Sequence, residues 1–474
     1  MEDSCFKKKY IYILALLYLL VSLIIFLIGN LKAIFSIPLV LLLLICFYKA
    51  INNFSVMRQR IFDNKRIYIV ILLIVLWVVY SGIGGFIWQN PWDHRFRNAI
   101  FMDLVKYKWP VVNNNNLLCY YLGFWLPSAL MGKLFGLNIG YLFQVLWAII
   151  GLFITYGLLC QYLKKVKISM LLFFIFYSGL DIFLFLLFSK LSFVDAVKSV
   201  FGGRHIELIT VYFNSSSNTT LLFWLYNQII PFWIGMLLIL LQKNSKSLLF
   251  IYSLMLLYSP FALVSLFPVI VYKILEDSNK ISLKNINKFF SFQNIVSFII
   301  IIIIAIYYKT NIAVGKINYL NINADILKKY VCYLFFEYFI YLFFIYKKNY
   351  KDIVLNILIV VILIGSFITM GNSYDFSWRI CIPLSFYIML LLMKELYDKK
   401  CVVWKRNAII IIFLLGAITP VSEMIRTYKN EKEVLGGKIK ARSDSLPTVF
   451  QVRNNKCYEN FIGRKNYIYK IFYK

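Results

Sequence analysis

Long apolar runs decide what this chain can become. Stretches such as Y-I-Y-I-L-A-L-L-Y-L-L-V-S-L-I-I-F-L-I from Tyr10 and N-I-V-S-F-I-I-I-I-I-I-A-I from Asn294 carry no charged side chain. Helices of about twenty such residues match the hydrocarbon thickness of a bilayer. In hydrocarbon each backbone N–H and C=O must be paired within its own segment, so the runs read as helices and not as strands of an open sheet. With 61% hydrophobic and 15% charged residues, nothing is left over for a soluble domain of ordinary size. The expected fold is all-α, a polytopic membrane protein of about 11 to 13 transmembrane helices.

Lys and Arg in short loops orient such helices, because positive charge is retained on the cytoplasmic side. Lys7, Lys8 and Lys9 place the N-terminus inside, and Lys49, Arg58, Arg60, Lys65 and Arg66 mark the return after the second span. Lys164, Lys165 and Lys167, then Lys243 and Lys246, follow the same rule. The net charge of +30 thus tracks topology, which points to the lipid bilayer as partner and away from nucleic acid. None of the 8 Cys forms a C-x-x-C pair, so neither a metal site nor a disulfide framework is read. The first apolar run is too long for a signal peptide and lacks a small-residue cleavage site, so it reads as a retained anchor. The excess of Ile, Lys, Asn, Tyr and Phe is the bias of an AT-rich coding sequence, and the expected location is a bacterial plasma membrane.

Two apolar segments break the parity of this topology. If 117–136 crossed the membrane, the Lys164 cluster would fall outside, so the segment is expected to be interfacial or re-entrant, as Pro127 and its Trp and Tyr content suit. Ser259-Pro260 interrupts 248–274, which is flanked by Lys on both sides and reads as two short helices turning at the proline. The chain then divides into a transmembrane domain, 1–424, with a first outer loop over 87–137, and a basic tail, 425–474, expected outside.

With that topology the scarce polar residues gather on the outer face. The first loop holds Asp93, His94, Arg97 and Asp103. A second loop holds Arg204, His205 and Glu207, and Asn227 and Gln228 begin the helix that returns from it. Asp375 and Arg379 lie in G-N-S-Y-D-F-S-W-R. Phe96, Ile100 and Leu104 recur at i, i+4 and i+8, so the first loop should contain an amphipathic helix at the membrane surface, with its carboxylates turned to a cavity. Asp181 and Glu337 fall inside expected spans, where an ionisable group is costly and by default functional or paired. Asn214-Ser-Ser and Asn218-Thr-Thr read as helix caps before Leu221.

The pattern D-x-x-F-R-x-A (Asp93, Phe96, Arg97, Ala99), followed by W-P-V and L-L-C-Y-Y-L-G-F-W-L-P-S-A-L-M-G-K-L-F-G, resembles the first external loop of the GT-C superfamily of integral-membrane glycosyltransferases. The likeness covers roughly 67–160 and extends to bacterial aminoarabinose transferases and protein O-mannosyltransferases. Members often carry adjacent acidic residues in this loop, whereas here His94 follows Asp93. Over most of its length the chain is similar to bacterial multi-pass membrane proteins that carry no activity with the likeness. The resemblance implies a sugar donor linked to polyprenyl phosphate and a glycan or lipid acceptor on the outer face.

The residues suit that chemistry on their own terms. Sugar transfer needs a base for the acceptor hydroxyl and cations for the departing phosphate. Asp93 and Asp103 are both candidates for the base. Arg379 offers a bidentate fork to phosphate, Asp375 four residues earlier can orient it, and Arg97, Arg204 or His205 can supplement it. No firm cofactor is read from the sequence, and a divalent cation stays an open option. The expectation is a cavity shared by Asp93, His205 and Arg379. The rival readings are a transporter or flippase of lipid-linked sugars, and a polymerase or ligase of surface polysaccharide.

Overall fold

The computed structural model describes residues 3–52, 64–86, 93–242, 245–277, 290–313, 317–370, 374–435, 448–451 and 459–474. Parts of the quoted motifs, W-Q-N-P-W over 88–92 and G-N-S over 371–373, lie outside the described residues. Among those described, eight helices are long and apolar enough to cross a membrane, including Tyr10–Asn30, Leu137–Leu163 and Asn218–Leu241. Ile67–Tyr80, Phe292–Tyr308 and Ile353–Gly365 are shorter apolar helices. The chain is a multi-pass helical membrane protein by helix length and hydropathy.

Both segments are broken where the sequence breaks them, but the second helix of the 248–274 segment has 18 residues and is not short. Within 117–136 only Leu126–Phe135 is helical, at 10 residues too short to cross. Gly136, at φ 96°, turns it straight into Leu137–Leu163. A β-carbon on Gly140 would lie 2.9 Å from the Gly132 Cα, so the two helices pack backbone to backbone on small residues. The segment 248–274 is a hairpin of Leu248–Met255 and Pro260–Asp277, with Pro260 as first residue of the second helix, where its missing N–H costs no hydrogen bond.

Contacts between connections sort the polar residues onto two ends. At one end Gln293 donates to the Ser247 hydroxyl, Ser245 to Asp277, and Lys348 to Glu395 and Asp398. These are the connections expected to be cytoplasmic. At the other end the Tyr80 hydroxyl donates to the Met424 carbonyl, and strand Ile317–Tyr319 pairs antiparallel with Ile368–Met370.

The end of the chain belongs to this second end. Asn116–Leu118 pairs antiparallel with Val112–Asn113 on one side and with Ile462–Arg464 on the other. Lys474 donates from its backbone N–H to the Asn30 carbonyl. The described part of the tail therefore packs against the first loop. The helix Ile418–Leu435 runs across position 424.

The first loop departs from expectation in one respect. Its helix, Asp93–Lys106, is present, but His94, Arg97, Asn98 and Asp103 on its polar faces are all buried. A surface helix would keep those faces wet; here the tail and the Asn218–Leu241 helix cover them.

Candidate functional site

A cleft of about 1070 Å³, counted with the space continuous with solvent, opens at the end that carries the first loop. Asp93 is the first residue of its helix, where a carboxylate meets the unpaired N–H groups and positive end of the helix dipole. Arg97, one turn on, donates to Asp93 at 2.9 Å. The short helix Asp375–Ile380 repeats the arrangement, with Arg379 donating to Asp375 at 2.9 Å. In both pairs the arginine side chain is desolvated, 5% and 11% exposed, while the carboxylate is wet, 46% and 39% exposed. All four residues line the cleft.

Arg97 is held from three directions. Asp93 takes one Nη2 hydrogen, the Tyr226 ring lies 5.4 Å from the guanidinium carbon, and burial keeps water away. Its Nη1 is buried and has no hydrogen-bond partner among the described residues, and Nη2 carries the bond to Asp93. Tyr226 is itself fixed, accepting from Gln144 at 3.0 Å and Trp125 at 3.4 Å.

Aromatic rings and amides complete the lining. Tyr120 and Tyr121 stack at 4.4 Å, and Phe461 from the tail packs 4.9 Å from Tyr120 and 5.4 Å from Phe96. Phe261, just after the hairpin turn, faces Tyr121 at 5.8 Å. Tyr307 positions this floor by accepting from the Tyr120 N–H and donating to the Leu118 and Tyr120 carbonyls. Asn311 donates to the carbonyls of Cys119 and Asn460, tying the first loop to the tail. The Tyr120 hydroxyl lies within the fields of Asp93, Arg97, Asp375 and Arg379 together, and burial raises its pKa far above the phenol range.

The expected site residues divide between this cleft and other places. Asp93, Arg97, Gln228, Asp375 and Arg379 line it. Asp103 does not: its Oδ2 accepts from the Thr448 hydroxyl and the Val449 N–H, both at 3.0 Å, so it anchors the tail. Burial pushes its pKa up to about 6, against the pull of those two hydrogen bonds. His94 is buried with Nε2 2.7 Å from the Phe223 carbonyl, which makes that nitrogen the donor. Burial, then the Arg97 charge, pushes its pKa down to about 3, so it is neutral at physiological pH. Asn227 is fully buried, and its side-chain atoms have no partner among the described residues.

The second loop forms a separate cluster, which corrects the expected cavity of Asp93, His205 and Arg379. His205 Nδ1 lies 3.1 Å from Glu423, which also accepts from Trp224 at 2.6 Å and faces Arg426 at 3.3 Å. Burial disfavours the His205 charge, but the hydrogen bond and charge of Glu423 outweigh it and raise the pKa. Arg204 lies over the Phe185 ring at 5.4 Å. Glu207 Oε1 accepts from the Ser217 N–H and the Thr220 hydroxyl, and so caps the Asn218–Leu241 helix. The sequence holds both loops equally polar; the Glu423 contact alone would have drawn His205 elsewhere, and it is 218 residues away.

Tyr120, Tyr121, Tyr226, Phe261, Asn311 and Phe461 were not foreseen as site residues. The Y-Y pair and the break before Phe261 were visible signals, but nothing local marks Phe461. Among the described residues, no group of three or more His, Cys, Asp or Glu is placed to hold a metal ion. The chain matches no protein-family profile, no curated protein and no solved structure.

Proposed function

We propose that the protein transfers a sugar from a polyprenyl-phosphate-linked donor to a glycan or lipid acceptor at the outer face of the plasma membrane. The observation that carries the reading is the convergence of two Asp–Arg couples on one aromatic cleft at the end of a helix bundle. Arg97 and Arg379 are desolvated cations that line the cleft and are suited to a phosphate. Tyr120, Tyr121, Phe261 and Phe461 offer flat apolar faces of the kind that pack against a pyranose ring. The helix end would let an isoprenoid tail stay in lipid while its head enters the cleft.

Asp93 is the base. Its carboxylate takes the proton of the acceptor hydroxyl as that oxygen attacks the anomeric carbon from the face opposite the phosphate. The bond between anomeric carbon and phosphate oxygen breaks, and its electron pair leaves on the phosphate, where Arg379 and Arg97 balance the charge. The configuration inverts. Asp375 keeps Arg379 aimed. The test is release of polyprenyl phosphate from a panel of lipid-linked sugars by the membrane-embedded protein. Asp93→Asn and Arg379→Ala should each abolish transfer at normal expression; full transfer by both sinks the reading.

A transporter or flippase of lipid-linked sugars is the second reading, favoured by Asp181 and Glu337, which are buried inside apolar spans. It predicts movement of the intact lipid-linked sugar across the membrane without release of polyprenyl phosphate. A polymerase or ligase of surface polysaccharide would use the same cleft and the same residues.

A further inference from the structure

Away from the cleft, three irregular helices meet. The apolar span Ile168–Phe188 breaks between Phe176 and Asp181, and Ala324–Asn349 contains a π-turn at Phe335–Phe339. The last span, Val403–Lys429, has a one-residue irregularity at Ala417, between Val403–Gly416 and Ile418–Leu435. The breaks are tied together: Leu180 N–H donates to the Phe336 carbonyl, and the Tyr341 hydroxyl donates to the Ser178 carbonyl at 2.8 Å. A β-carbon at Gly416 would lie 2.9 Å from that same Ser178 oxygen. Helix interruptions within a membrane place backbone and polar side chains where lipid cannot satisfy them, and they persist mainly at functional sites.

Two carboxyl groups occupy the junction. Asp181 begins the second half of its span, and its Oδ2 accepts from the hydroxyls of Ser178 at 3.0 Å and Thr419 at 3.1 Å. Glu337, on the π-turn, presses on the opposite break so closely that a β-carbon at Gly179 would lie 1.7 Å from its Oε2. Asp181 and Glu337 are each 2% exposed. Neither Glu337 oxygen meets a hydroxyl, amide or cationic donor among the described residues, and its polar neighbour is the Asp181 carboxyl.

Charged and titratable groups around the pair are Glu207 and His205 from the second loop and Cys381 from the neighbouring span. The phenols of Tyr177, Tyr333, Tyr338 and Tyr341 close the apolar side. With no cation hydrogen-bonded to either among the described residues, two carboxyls side by side repel when both are ionised, and one proton shared between their oxygens relieves that repulsion. Glu207 Oε2 also has no partner among the described residues, and burial, then Asp181, pushes that group up to about 7. His205 is partly exposed, with its side chain at 19%, and its Glu423 contact faces Arg426.

We propose that Asp181 and Glu337 form a buried proton-binding site, loaded from the end of the molecule that carries the cleft through Glu207 and His205. The site is distinct from the transfer cleft and stands whether or not that reading holds. Its occupancy decides whether the broken span Ile168–Phe188 and the π-turn of Ala324–Asn349 are joined by a hydrogen bond or pushed apart by like charges.

Infrared spectroscopy of the full-length protein in lipid membranes tests it. At neutral pH the wild type should show a protonated-carboxyl carbonyl band that shifts in deuterated water and persists in Asp103→Asn and in Glu207→Gln. Glu337→Gln, a neutral stand-in for the protonated form, should remove it, Asp181→Asn should shift its frequency by changing the hydrogen-bond partner, and His205→Ala should slow its deuterium exchange. Absence of the band in the wild type, its unshifted survival in both carboxyl variants, or its loss on adding sodium at constant pH would overturn the proposal. The last result would mark a cation site instead.

Discussion

Asp93 and Asp103 share one helix but not one environment. At about 100° per residue, ten positions turn the helix so that the two side chains point about 80° apart. One reaches the cleft and the other the tail. Replacing Asp103 by Ala leaves the Thr448 hydroxyl and the Val449 N–H without their acceptor in a buried place, which should cost about 1–3 kcal/mol. Asp103→Asn keeps an acceptor oxygen and should cost less; thermal unfolding in membranes separates the two. The sign of the pH effect follows from the raised pKa. Because folded Asp103 binds its proton more tightly than the unfolded chain does, its contribution to stability is largest below about pH 4. It declines as pH rises to about 6, and Asp103→Asn should remove that slope. His94 works the other way: its folded pKa of about 3 lies below the unfolded value of 6.5, so its contribution is present above 6.5 and is lost as pH falls toward 3. Transfer activity should therefore show no titration of His94 near 6.5, and a pH-rate profile of His94→Asn that lost such a step would contradict its neutral, donor role.

At the scale of elements, the tail and the hairpin build the cleft as much as the first loop does. Strand Ile462–Arg464 brings Phe461 against Phe96 and Tyr120, and the hairpin turn brings Phe261 against Tyr121. The Gly123 N–H donates to the Leu257 carbonyl, so loop and hairpin tip are hydrogen-bonded at the cleft floor. Phe461→Ala should weaken substrate binding by roughly two- to tenfold, the scale of one lost ring contact, while leaving the rate at saturation near wild type. Removal of 459–474 should do more, because it also unpairs Asn116–Leu118 and the Asn311 contact to the Asn460 carbonyl. Substrate titrations of both variants in membranes measure the difference; equal affinity for wild type and Phe461→Ala would remove the tail from the site.

For the whole molecule, the partition into two ends makes a labelling prediction. Single cysteines at Tyr467, 81% exposed in the tail, and at Lys400, exposed at the opposite end, should react with an impermeant thiol reagent from opposite sides of the membrane. Tyr467 is expected to react from outside and Lys400 from the cytoplasm. Reaction of both from one side would undo the arrangement of the ends.

Helical class, the long apolar helices, the short helix within 117–136 and the Ser259-Pro260 turn were legible in the chain, because they depend on local hydropathy and on backbone chemistry. So were the two Asp–Arg couples, since i, i+4 spacing within a helix is a local property. Which polar groups share a cleft was not legible. Asp103 was drawn to Thr448, 345 residues on, and His205 to Glu423, 218 residues on. Composition and periodicity place a residue on a side of the membrane and on a face of a helix. They do not say which other element covers that face, because burial and pairing are settled between segments far apart in the chain. Tertiary packing alone made the first-loop helix an interior element, carried Phe461 into the cleft and set the Asp181 and Glu337 carboxyls side by side.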